Sequence, residues 1–263
     1  MTILGRSWLL AGTMALVALP TLAVEPAASA ADAEEGARVA RRVGCDGCHG
    51  EGGAGRVFME DPAQGRIVAP NLTQRRTLYP DEAALAGLLH EGRTHDGHAP
   101  WGMPIQSFQH LSRREVRDID AWLRALPAVE NAALPAGQWS AELTRQINDG
   151  THPWLADLKP TPGNMPPPAP PTEPLALGRH IALTTCGECH GWDLNGFGDP
   201  GGAPPLAIAK AYTDEQFARL MRTGEVLSGG KSASGLMSGV AVYRFNAMTD
   251  AEIQALKDYL DSR

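Results

Sequence analysis

The sequence predicts an all-α chain made of two tandem helical domains. Three observations carry that prediction: an internal repeat, an amphipathic helix closing each copy, and a cysteine–histidine motif heading each copy. The motif reads Cys45-Asp46-Gly47-Cys48-His49-Gly50 in the first copy and Cys186-Gly187-Glu188-Cys189-His190-Gly191 in the second. The expected organisation is a leader over residues 1–30, a domain over 31–126, a Pro-rich linker over 127–174 and a second domain over 175–263.

Taken in order, residues 1–30 read as a secretory signal. Arg6 supplies a positive start, residues 8–22 are largely apolar, and Ala28-Ser29-Ala30 offers a small-x-small cleavage site after Ala30. Gly12, Thr13 and Pro20 interrupt the apolar run, which falls short of the roughly 20 residues a membrane-spanning helix needs. No later segment reads as a span, so an exported, periplasmic protein is expected. A short helix over residues 37–44 then leads into Cys45, and one over 179–185 leads into Cys186.

Beyond each motif the repeat continues. Ala69-Pro70-Asn71-Leu72 corresponds to Ala203-Pro204-Pro205-Leu206. Tyr79-Pro80-Asp81-Glu82 opens a helix ending near Gly92, and Tyr212-Thr213-Asp214-Glu215 opens one ending near Gly224. Ser112-x-x-Glu115 and Thr249-x-x-Glu252 are capping boxes for the last helix of each half. Their apolar stripes, Val116, Ile119, Trp122 and Leu123 against Ile253, Leu256, Tyr259 and Leu260, keep a constant offset of 137 positions. No convincing strand is read in either half. Between them, Trp139, Trp154 and a short helix over 140–148 precede eight prolines within residues 160–174, a composition that favours an extended, semi-rigid spacer. The tryptophans are expected to pack on the chain's own domains rather than on a partner.

A Cys-x-x-Cys-His run is the attachment signature of c-type haem: two thiols for thioether bonds and a histidine placed beneath the iron. The alternatives are a four-cysteine zinc site or two disulfides. Zinc knuckles usually lie a few tens of residues apart at most, whereas these pairs are 141 positions apart. Disulfides leave both following His-Gly dipeptides unexplained. Cys45, Cys48, Cys186 and Cys189 are the only cysteines, so two covalently attached haem c groups are expected, on His49 and His190. A net charge of −7 gives no basic footprint for nucleic acid. With 6% aromatic residues, 29 Gly and 21 Pro, the composition suits small, loop-rich domains around a cofactor that supplies apolar area.

Both halves resemble class I cytochrome c domains, and the resemblance covers residues 31–126 and 175–263. It implies that the first and last helices of each half cross, with Gly36 and Gly178 allowing close approach and Trp122 and Tyr259 packing there. It also implies that the carbonyls of Pro70 and Pro204 accept a hydrogen bond from the proximal imidazoles of His49 and His190. The first half is similar, in addition, to cytochrome subunits that serve periplasmic dehydrogenases. Those commonly carry three haems, where this chain has attachment sites for two.

For the sixth ligand, Met103 in Trp101-Gly102-Met103-Pro104 stands where the resemblance places an axial Met-Pro. Met59 follows the first motif too closely. His90, expected on a helix surface, and His95 and His98 in a polar turn are its rivals. In the second half that position falls on Val240-Ala241, and Met237 is the nearest methionine. Met221 and Met248 read as packing residues, and Lys231 could ligate only if deprotonated. Methionine on both irons implies an electron carrier rather than an enzyme, exchanging electrons with redox partner proteins: a dehydrogenase or quinol-linked donor, and another cytochrome or a terminal oxidase. A dedicated subunit of one dehydrogenase complex is the alternative. An open second iron would instead allow small-molecule redox chemistry.

Overall fold

The computed structural model describes residues 30–97, 100–156, 159–198 and 202–263. Residues 1–29 of the expected leader lie outside these, as do His98 and the side chain of Trp154. Helix α1 (Ala33–Arg42) is capped by Asp32, whose carboxylate accepts from the Glu34 and Glu35 N–H groups. Arg41 and Arg42 in its last turn suit the negative end of the helix dipole. Gly44, at φ +89°, turns the chain into the motif helix α2 (Cys45–His49). The Gly55 N–H closes that helix by donating to the His49 carbonyl at 2.6 Å.

The chain is mostly helical as expected, but the next element is a small sheet where no strand was read. Strands β1 (Arg56–Asp61) and β2 (Gly65–Ala69) pair antiparallel with a bulge between Val57 and Met59, and β3 (Gln138–Trp139) from the linker pairs with β2. The turn has a local cause: Asp61 Oδ1 accepts from the Ala63 and Gln64 N–H groups, both at 2.8 Å. At Gly65, φ is +85° and a Cβ would lie 2.2 Å from the Gln138 carbonyl oxygen, so only glycine admits the third strand.

Helices α3 (Leu72–Arg75), α4 (Glu82–Glu91), α5 (Ile105–Phe108) and α6 (Arg113–Ala125) complete the first half. Asp81 caps α4 and left-handed Gly92 ends it, while Ser112 and Glu115 form the capping box of α6. At the crossing of α1 and α6, a Cβ on Gly36 would lie 1.8 Å from the Asp118 carbonyl oxygen. Val39, Leu85, Ile105, Phe108, Val116, Ile119 and Trp122 form the core beside that crossing.

The linker does not stand clear as a spacer. Val129 and Asn131 are bonded to Asn71, Thr73 and the Ala54 carbonyl, and α7 (Ala141–Asn148) buries Leu143. The proline run is a strap on the first half. Asn164 Nδ2 donates to the Gln109 carbonyl at 2.7 Å, and the Thr161 N–H donates to Gln109 Oε1 at 2.7 Å. The Arg113 and Arg114 N–H groups, unpaired within α6 because they begin it, donate to the Pro167 and Pro168 carbonyls. Proline lacks a donor but keeps its acceptor, and at Pro167 and Pro168 the strap uses that acceptor.

The second half repeats the plan. Helix α8 (Pro174–Ile181) runs through a π turn, Ala182–Cys186, into the motif helix α9 (Gly187–His190). Helices α10 (Asp214–Thr223), α11 (Leu236–Tyr243) and α12 (Asp250–Ser262) follow, with Thr249 and Glu252 boxing the start of α12. A Cβ on Gly178 would lie 1.9 Å from the Ala255 carbonyl oxygen and 2.6 Å from Tyr259 Cβ. A separate core gathers Ile181, Phe217, Leu220, Ile253, Leu256 and Leu260. Residues 31–263 nonetheless form one contact unit. No described helix is long and apolar enough to cross a membrane.

Candidate haem-binding sites

In the first half, Cys48, His49, Pro70 and Met103 line one cavity of about 420 Å³, within the range of small-molecule and cofactor pockets. His49 Nδ1 is 2.9 Å from the Pro70 carbonyl oxygen. A carbonyl only accepts, so Nδ1 must carry the proton and the Nε2 lone pair is left available to a metal. Burial lowers the His49 pKa, which keeps the imidazole neutral. Met103 packs on the first core, and its loop is tied by the Met103 N–H to the Pro100 carbonyl and the Ile105 N–H to the Met103 carbonyl, each at 2.9 Å.

Trp101 and Trp139 also line this cavity. Their rings lie 6.1 Å apart, and Trp101 meets His152 edge-on at 4.6 Å. The linker therefore supplies one wall of the first site through Trp139, in keeping with the expectation that it packs on the chain's own domains. His95 lies on the cavity wall. His90 is not a surface residue as expected; it is buried, with Nε2 3.0 Å from the Leu111 carbonyl oxygen. Amphipathic position misplaced it because α4 is covered on the side where His90 points. Met59 lies in β1, away from the cavity lining.

In the second half His190 Nδ1 is 2.7 Å from the Pro204 carbonyl oxygen, again leaving Nε2 as the free nitrogen. The Gly196 N–H donates to the His190 carbonyl at 2.6 Å, repeating the closure by Gly55. Leu194, at φ +64°, is the non-glycine residue with positive φ among the described residues. Its counterpart 141 positions earlier is Gly53, at φ +71°. Leu194 is 1% exposed, and burial of such a side chain, about 1.5–3 kcal/mol, offsets the about 1–3 kcal/mol of backbone strain.

Met237 sits in the first turn of α11, partly buried against the second core. Its neighbour Ser238 pins the turn, with Oγ donating to the Gly224 carbonyl at 2.5 Å and accepting from the Ser232 N–H at 2.8 Å. Met221 and Met248 are core residues, and Lys231 is exposed. None of the four cysteines is in a disulfide. Among the described residues no three Cys, His, Asp or Glu side chains converge on a metal-ion position. Burial pushes the Cys45 and Cys186 thiols up to about 12, and the charge of Arg244 opposes that rise at all four cysteines.

A helical half headed by Cys-x-x-Cys-His, its histidine tied through Nδ1 to a proline carbonyl, and the same half repeated, define a tandem di-haem c-type cytochrome. The comparisons agree: residues 175–263 match the family described as cytochrome c, and residues 31–123 match that described as cytochrome c oxidase, cbb3-type, subunit III. The chain is also similar to the cytochrome c subunit of alcohol dehydrogenase (quinone) from Gluconacetobacter polyoxogenes and from Komagataeibacter europaeus. Each is 26% identical over 96% of this chain. The chain spans 60% of the length of these relatives.

Proposed function

We propose that this chain is a di-haem electron-transfer cytochrome that accepts electrons from a dehydrogenase and passes them to another cytochrome or a terminal oxidase. The observation that carries the reading is the pair of imidazoles, His49 and His190, each oriented by a proline carbonyl with its outer nitrogen left for iron. Haem supplies a one-electron couple when bound. The chain's residues do the rest. Cys45 and Cys48, and Cys186 and Cys189, fix each haem by thioether bonds. His49 and His190 would hold the irons, and Met103 and Met237 would supply the second protein ligands, a set that favours carriage of electrons over substrate chemistry.

Similarity to quinone alcohol dehydrogenase cytochrome subunits supports a second, narrower reading, a dedicated subunit of such a complex. The linker that walls the first site is its candidate docking element. Either role places the domains 31–126 and 175–263 in the periplasm, after export directed by residues 1–30. A pyridine haemochrome assay should return two haems per chain, and fewer would sink the reading. Co-purification with a large quinoprotein or flavoprotein subunit would select the dedicated-subunit role; isolation as a lone, reducible protein would select the free carrier.

A further inference from the structure

Arg244 lies between the two haem motifs. It follows α11 directly, is 8% exposed, and reaches out of the second half into the first. Its Nε donates to the Arg42 carbonyl at 3.2 Å, at the end of α1 and two residues before Gly44. Its Nη1 donates to Glu188 Oε2 at 2.9 Å, and Glu188 stands between Cys186 and Cys189. The guanidinium carbon lies 2.7 Å from where a Cβ on Gly44 would be, so the residue preceding Cys45 must be glycine for the side chain to pass. Tyr243 packs on the same motif beneath Gly47, and its ring is covered by Arg41 at 5.1 Å.

The 137-position repeat places Ser107 where the second half has Arg244. Ser107 approaches the second motif in turn, its Oγ 3.4 Å from the Cβ position of Gly187. Corresponding residues of the two halves thus reach across to each other's motif, but only one of them is charged. That asymmetry puts a buried cation and one partner anion, Glu188, at the junction of both motifs. In a low-dielectric site, a fixed cation disfavours the oxidised, more positive centre and a fixed anion favours it.

We propose that Arg244 is a positioning residue shared by both haems, holding the two motifs together and raising both reduction potentials, with Glu188 setting the opposing contribution. The inference rests on the di-haem reading above. It follows that neutralising the two partners moves the potentials in opposite directions. Loosened packing alone would not produce that sign reversal.

The test is spectroelectrochemical titration of the full-length holoprotein as wild type, Arg244→Gln, Arg244→Lys and Glu188→Gln, with haem counted in each. Arg244→Gln should lower both midpoints by about tenfold in the oxidation equilibrium, 59 mV for a one-electron couple. Glu188→Gln should raise both, and Arg244→Lys should stay within threefold of wild type because the charge is kept. If Arg244→Gln does not retain two haems, Glu188→Gln decides alone. Shifts of the same sign in the two neutralised variants, a shift confined to one haem, or no shift would overturn the proposal. Absence of two redox-active haems in the wild type would instead overturn the carrier reading itself.

Discussion

His180 Nε2 donates to Glu115 Oε2 at 2.9 Å, joining the first helix of the second half to the last helix of the first half. The reverse contact is also made. Arg38, two residues beyond Gly36 as His180 is two beyond Gly178, donates to Glu252 at 2.6 Å. Glu115 and Glu252 are the two capping-box glutamates, so each caps its own helix and binds the other half. Arg42 sits between them, donating to Glu115 at 2.6 Å and to Glu252 at 3.2 Å. The interface is therefore a pseudo-twofold set of buried charges, and it keeps two separate cores in one unit.

Removing one partner from this set should be costly. In Glu115→Ala the Arg42 guanidinium, 2% exposed, loses its shortest anionic contact, α6 loses its box, and His180 loses its acceptor. About 3–5 kcal/mol of destabilisation is expected, read as a lowered urea midpoint. Glu142→Ala, at an exposed position of α7, should leave the urea midpoint nearly unchanged, and comparable losses in both variants would contradict this account.

Acid should weaken the same interface in two stages. Burial alone would raise the Glu115 and Glu252 carboxyls, but hydrogen bonds and charges from His180, Arg38 and Arg42 outweigh it and hold both below the ordinary 4.5. Their stabilisation is fully present above pH 4.5 and is lost as pH falls toward the folded values. His110 acts higher: burial, with help from Arg179 and His180, lowers it from 6.5 to about 4. Its contribution is present above pH 6.5 and lost as pH falls through 4. Chemical denaturation from pH 7.5 to 3 should show stability level above about pH 6.5 and falling below it, with His110→Gln flattening the upper stage and Glu115→Gln the lower. A flat wild-type profile would refute both assignments.

Gly36→Ala and Gly178→Ala test the helix crossings. The added carbon would lie 1.8 and 1.9 Å from carbonyl oxygens of Asp118 and Ala255, and backbone cannot swing away as a long side chain can. Each should cost at least about 1–3 kcal/mol and lower haem retention in its own half. Gly97→Ala meets nothing within 4 Å; at φ +79° its cost is conformational only. Equal losses at all three positions would show that the crossings are not the cause.

What the sequence made legible was local or strictly repeated. The capping boxes follow from residue types at a fixed spacing, while the crossings at Gly36 and Gly178 and the acceptor prolines were implied by the resemblance to class I cytochrome c domains. The β1–β2 hairpin escaped because Arg56 and Glu60 are exposed, Phe58 lines the first cavity, and Val57 and Met59 are only half covered; without a buried apolar alternation, the Asp61–Gly65 turn was the sole signal. The strap escaped because proline carbonyls accept without leaving a mark in the sequence. The charge cluster and Arg244 escaped because contacts such as Arg38 to Glu252, 214 positions apart, exist only once the halves dock.

The distal ligands are the last point to test, and their surroundings separate ligation from packing. Met103 lies on the first cavity wall in a loop closed by its own backbone bonds, while Met237 is fixed by Ser238 although no Met-Pro marks it. Met103→Ala and Met237→Ala should each remove part of the weak near-infrared thioether–iron band of the oxidised protein and let the affected haem bind carbon monoxide when reduced. The double variant should remove the band entirely. Met221→Ala and Met248→Ala, at 3% and 2% exposure in the second core, should keep the band and instead lose about 2–5 kcal/mol of stability. A band unchanged in Met237→Ala, with carbon monoxide binding already present in the wild type, would leave the second iron open and make chemistry at that site the better reading.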